Sequence, residues 1–138
     1  AEIAEAHHLF LGFNDIALPM EGMTLPGEAH VRAILDFGRD WDRATPMIVH
    51  CFAGISRSTA SAYMIALALN PELDEMELAH ELRWRAPSAT PNPKLIEIAD
   101  TVLGREGRMV EAIRSIGRGQ DAFEGEPFRL DVFGGDDA

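Results

Sequence analysis

The chain carries one cysteine and one tyrosine in 138 residues, and Lys94 is its only lysine. A lone cysteine, Cys51, cannot close an internal disulfide, which fits a reducing cytoplasm rather than a stapled secreted domain. Long apolar runs are also missing. The longest, "AYMIALAL" (Ala62 to Leu69), falls far short of the roughly 20 residues that cross a bilayer and reads as a buried helix. The opening "AEIAEAHHLF" has no basic stretch followed by an apolar one, so nothing there suggests export. Positive charge is scarce: 12 basic residues face 23 acidic ones, for a formal net charge of -11. That balance disfavours nucleic acid and anionic membranes as partners, because both are bound through surplus Lys and Arg.

What remains is an ordinary globular composition, 46% hydrophobic and 25% charged, in a chain long enough for one core and too short for two. A single domain over residues 1–138 is expected. "HLFLGF" (His8 to Phe13) reads as a short buried strand closed by "ND", and "ALPMEGMTLPGE" (Ala17 to Glu28) as a long loop. Val31, Ile34, Leu35 and Trp41 recur at helical spacing over Glu28 to Asp42, with Pro26 near the first turn. "MIVHC" (Met47 to Cys51) is apolar and β-branched, the pattern of a central strand.

Ser58 to Leu69 is helical and stopped by Asn70 and Pro71. A further helix runs from Asp74, where "DEME" has capping-box spacing, to Arg85. Asn92 and Pro93 form a cap and first-position pair for another that continues to Gly104, and Met109 to Ile116 suggests one more. Near the end, Phe128, Leu130 and Val132 alternate as an edge strand would.

The stretch "HCFAGISRSTAS" (His50 to Ser61) joins the expected strand to the expected helix. Such a loop collects unpaired backbone amides and the positive end of the helix dipole, and so binds an oxyanion. Gly54 permits a tight cradle, Ala53 and Ser56 leave room for a dianion, and the fork of Arg57 suits two phosphate oxygens. The same field lowers a thiol pKa from about 8.5 to about 3.5–7.5. Cys51 is therefore expected to be a thiolate aimed at phosphorus.

This stretch resembles the signature of the cysteine-dependent protein tyrosine phosphatase superfamily: His, Cys, five residues, Arg, then Ser or Thr. Here His50, Cys51, Arg57 and Ser58 supply it. From average residue frequencies, a random cysteine meets the pattern, with glycine at plus three, about once in 100,000. "IVHCFAGISRSTA" looks most like the dual-specificity branch in its bacterial form, and "RWRAPSATPNPKL" (Arg83 to Leu95) resembles the segment with a Pro-Asn pair after that branch's catalytic helix. The resemblance covers about Leu11 to Leu103.

It implies an α/β fold with a central, mostly parallel sheet flanked by helices, and a phosphocysteine mechanism without cofactor or metal. It also implies that Phe52, Ala53, Gly54, Ile55, Ser56 and Arg57 bind phosphate, that Ser58 eases departure of the sulfur, and that His50 helps hold the loop. Ser88, Thr90 and Asn92 are expected to close the loop from behind. The family's domain normally has strands ahead of the acid-bearing one. Part of the sheet is therefore expected to be absent here, through trimming, or to be supplied atypically by "FRLDVF" or by the opening residues.

The family's general acid is an aspartate on a loop upstream of the cysteine, and the context of Asp15 in "GFNDIALP" resembles it, with Glu21 in reserve. Asp36, Asp40 and Asp42 fall toward the wrong edge of the expected sheet, on the order of 15 Å from the site. His7 and His8 are adjacent and without further ligands nearby, so no metal site is expected; His30 and His80 look like surface helix positions, and Trp41 and Trp84 like packing residues.

The loop has no lysine, unlike phosphoinositide phosphatases of the superfamily, which points to a phosphorylated protein or peptide, phosphotyrosine foremost and phosphoserine or phosphothreonine besides. A non-catalytic phosphate reader and a phosphatase of a small phosphorylated metabolite are the alternatives. Arsenate reduction of the phosphatase type would need additional cysteines, and there are none.

Overall fold

The structure, a computed structural model, describes residues 9, 18, 20–43, 47–51, 55–122 and 125–132. Five helices follow one another: α1 (Glu28–Arg39), α2 (Arg57–Leu69), α3 (Glu75–Arg85), α4 (Pro93–Leu103) and α5 (Arg108–Ser115). Helix α2 is the centre. It packs against α1, α3 and α4, while α5 lies on α3 and α4. Nine of its residues are buried, among them Ala60, Tyr63, Met64 and Leu67. An apolar helix with no polar face can be stable only when enclosed in this way. Each large side chain it buries contributes about 1.5–3 kcal/mol. α1 reaches it closely because Gly38 has no side chain: a Cβ there would lie 2.9 Å from Cγ2 of Ile65.

The helix ends follow local chemistry. Asp74 accepts from the Glu77 amide at 2.9 Å and opens α3. Asn92 accepts from the Leu95 amide at 3.0 Å, with Pro93 next, and opens α4. Gly104 closes α4 in the left-handed conformation at φ 68. The His30 ring accepts from the Gly27 amide at 3.0 Å at the start of α1, a half-buried capping role rather than the plain surface position expected.

The expected central parallel sheet is a misreading: no strand occurs among the described residues. Residues 47–51 alternate as a strand does, with Met47 and Val49 packed on the core while Ile48 is 79% exposed and His50 is exposed too. Yet no ladder of backbone bonds joins them to another described segment. Phe128, Leu130 and Val132 likewise pack against the core without pairing as an edge strand, and the Asn70 amide group ties the Val132 carbonyl down at 2.9 Å. Of the strand expected at residues 8–13, all but Leu9 lies outside the described residues. Trp84 also departs from expectation. It is 83% exposed rather than packed, and Trp41 is half-buried.

A buried ionic junction binds the C-terminal end of α2 to α3 and α5. Arg105 is 8% exposed, and its guanidinium donates to Glu75 Oε2 at 2.8 Å and to the carbonyls of Leu67 and Pro71 at 3.1 and 3.3 Å. Arg108 adds a bond to the same Glu75 oxygen at 3.0 Å. The buried Asp100 carboxylate accepts from the amides of Gly107, Met109 and Val110, which fixes the start of α5. Burial pushes the Glu75 carboxyl up, but its own backbone amide, Arg105 and Arg108 outweigh that and hold it below its ordinary value of 4.5.

Two outcomes follow from the junction. Arg105→Met leaves a buried carboxylate with one partner fewer and orphans two carbonyls, and urea denaturation should show a loss of about 3–5 kcal/mol. A depressed folded-state pKa stabilises above the unfolded value and loses that contribution as pH falls through the folded one. The stability gap between wild type and Glu75→Gln should therefore be widest above pH 4.5 and narrow on acidification, as measured by denaturation at successive pH values.

Candidate functional site

The extended segment 47–51 delivers Cys51, half-buried, to the first turn of α2. There the Ser58 amide donates to its Sγ at 3.4 Å, and the thiol lies 3.4 Å from Oγ of Ser58, to which it donates. Ser58 itself is 8% exposed. Met47 and Val49 anchor the segment to the helical core four and two residues before the cysteine. The thiol thus lies at the N-terminal turn of a helix, carried there by an extended segment and not by a strand among the described residues.

Residues 55–57, at the entry to α2, are held from behind. The Ile55 carbonyl accepts from the Thr59 hydroxyl at 2.6 Å and from the Thr90 amide at 2.9 Å. The Ser56 carbonyl accepts from the Thr59 hydroxyl and the Ala60 amide at 3.1 Å, and from the Asn92 amide at 3.2 Å. The Arg57 carbonyl accepts from the Ser61 hydroxyl at 2.8 Å. A trans peptide points its C=O and the following N–H in opposite directions. Three carbonyls in a row are engaged on the core side, so the amides of Ser56, Arg57 and Ser58 point the other way, and that of Ser58 meets the sulfur.

These amides begin a 13-residue helix, whose dipole adds partial positive charge at the same end. The Ser56 side chain does not cap it. Arg57 is the first residue of α2 and is half-buried, with its Nε shielded from solvent. A sulfur, an amide and a hydroxyl thus meet at one helix end, where Arg57 is the first helical residue. Such a set can hold an oxyanion and favour a negatively charged sulfur.

The other expected residues are distributed as follows. Asn92, 2% exposed, supports the loop with its backbone amide and caps α4 with its side chain. Thr90 supports it through its amide, whereas the Ser88 carbonyl accepts from the Thr90 hydroxyl at 3.3 Å. His50 is exposed. Phe52, Ala53, Gly54 and the proposed acid Asp15 lie outside the described residues, as do His7 and His8. Among the described residues no three His, Cys, Asp or Glu side chains are grouped to hold a metal ion.

The expected sheet was also the ground for setting aside Asp36, Asp40 and Asp42, and that ground is gone. Packing gives another for the first two. Gly38, between Asp36 and Asp40, sits on Ile65, eight residues along α2 from Arg57 and so about 12 Å from its start.

Thr59 was missed as a loop-supporting residue. A signal for it exists, since a threonine in the first turn of an apolar helix tends to bond the carbonyl three or four residues back. Among the described residues no helix is long and apolar enough to cross a membrane. Comparison with protein-family models, with curated proteins and with solved structures gave no match to this chain.

Proposed function

We propose that the chain is a cysteine-dependent phosphatase that hydrolyses phosphotyrosine in proteins or peptides, and phosphoserine or phosphothreonine besides, through a phosphocysteine intermediate. The observation that carries the reading is the pair of contacts from Ser58, amide and hydroxyl, to the sulfur of Cys51 at the head of α2. The signature from His50 to Ser58 supports it from the side of sequence.

In the first step the Cys51 thiolate attacks phosphorus in line, an S–P bond forms, and the P–O bond to the leaving group breaks with its electron pair going to oxygen. The loop amides and Arg57 hold the three equatorial oxygens as charge builds on them. Asp15, carried over from the resemblance, gives its proton to the departing oxygen. In the second step water attacks phosphorus, its proton passes to the Asp15 carboxylate, and the S–P bond breaks to return the thiolate. The Ser58 hydroxyl, already 3.4 Å from the sulfur, donates to it as negative charge reappears there. No cofactor is required by either step. An acidic chain whose loop has no lysine suits an aryl phosphate better than a phosphoinositide.

Hydrolysis of para-nitrophenyl phosphate by wild type, Cys51→Ser and Asp15→Asn tests the reading. Cys51→Ser should lose turnover and keep binding of inorganic phosphate; undiminished turnover refutes the nucleophile. Asp15→Asn should lose about 10²- to 10⁴-fold on phosphotyrosine peptides and less on substrates with more acidic leaving groups. Phosphate binding without turnover by the wild type would identify a phosphate reader instead.

A further inference from the structure

Arg83, on α3, makes four bonds to backbone carbonyls. One terminal nitrogen donates to Ala86 at 3.2 Å and Pro87 at 2.9 Å; the other donates to Ile116 at 3.4 Å and Gly117 at 2.8 Å. The first pair lies in the turn after α3, the second in the turn after α5, 33 and 34 residues beyond Arg83. Desolvation pushes the Arg83 pKa down, as befits a cation whose partners are neutral dipoles. Only a planar fork with several donors can gather two such turns at once.

The turn after α5 continues onto the same segment. The Gln120 amide donates to the Pro87 carbonyl at 2.9 Å and the Gly119 amide to the Thr90 hydroxyl at 3.2 Å. Gly119 is pressed backbone to backbone: a Cβ there would stand 2.5 Å from the carbonyl oxygen of Ala89 and from the carbonyl carbon of Ser88. Segment 87–92 is thus gripped on one side by the turn after α5 and grips, on its other side, the carbonyls of Ile55 and Ser56. Those two carbonyls set the direction of the Ser56 and Arg57 amides.

We infer that Arg83 and Gly119 are positioning residues of the thiol loop: the turn after α5, clamped onto segment 87–92, fixes the amides that face the oxyanion while touching neither substrate nor sulfur. The inference rests on the phosphatase reading and adds to it a part of the chain more than 60 residues beyond the nucleophile. A clamp of this kind acts on binding of the oxyanion, because a cradle built from amides loses strength when its donors are misdirected by fractions of an ångström.

Cys51 is the only thiol, so its alkylation by iodoacetamide reports on this loop alone. The experiment measures how strongly inorganic phosphate protects Cys51 from alkylation in folded wild type, Arg83→Met, Arg83→Lys, Gly119→Ala and Thr90→Val, with melting temperatures alongside. Arg83→Met and Gly119→Ala should raise the phosphate concentration needed for half protection about tenfold, and Arg83→Lys should recover part of the loss. Thr90→Val, which keeps the amide bond to Ile55 but not the hydroxyl contact to Gly119, should fall between.

Unchanged protection in variants that melt earlier would make the clamp merely structural and overturn the inference. Arg83→Lys and Thr90→Val keep that outcome measurable should the harsher variants not fold. Loss of protection in the variants while the wild type is protected supports it. No protection even in the wild type overturns the phosphate-site reading and the inference with it.

Discussion

A helix buried on every side can present chemistry only at its ends. Helix α2 is enclosed by α1, α3 and α4 along its length, and near its C-terminus Arg105 takes up the carbonyl of Leu67 and, just beyond the helix, that of Pro71. Its N-terminus is where the interior polarity of the bundle is directed outward. The hydroxyls of Thr59 and Ser61 turn back to carbonyls of the preceding turn, and segment 87–92 takes the remaining load. With the carbonyls held inward, the amides have one direction left. One of them, that of Ser58, donates to the sulfur of Cys51.

The proposed chemistry is therefore compatible with an architecture different from the one its motif suggests. A thiol at a helix end needs an anchored approach and a fixed helix. In this chain Met47 and Val49 provide the approach by packing on the helical core, and among the described residues no strand pairs with them. The helix is fixed by its own burial and by the ionic junction at its far end, where Glu75, Arg105 and Arg108 meet.

All five helices were legible in the sequence to within a few residues, because their ends are local events: Asn70-Pro71 stops α2, Asp74 starts α3, Asn92-Pro93 starts α4 and Gly104 ends it. The sheet was not legible, since the short apolar, β-branched run from Met47 to Cys51 records only that an extended segment is covered on at least one side. Whether a strand or a helix covers it is a long-range matter. Trp84 misled because size and apolarity favour burial on average, while its position on α3, four residues after the exposed His80, faces outward.

At the site, Cys51, Arg57 and Ser58 were readable as a spacing, and Asn92 as a cap. Arg83 reads as one more helix-surface cation, and Gly119 stands in a stretch of glycines and charges where nothing local marks a backbone contact with residue 89.

The lone tyrosine of the chain, Tyr63, is 0% exposed in the middle of α2, and its hydroxyl is committed to the Glu75 carbonyl at 2.8 Å. Burial and the nearby Glu75 charge push its ionisation well above the ordinary range. A kinase could add a phosphoryl group there only after the central helix had come out of the bundle. Within these 138 residues, then, a folded copy has no accessible phenol that could be turned into a competitor for its neighbours' cradles.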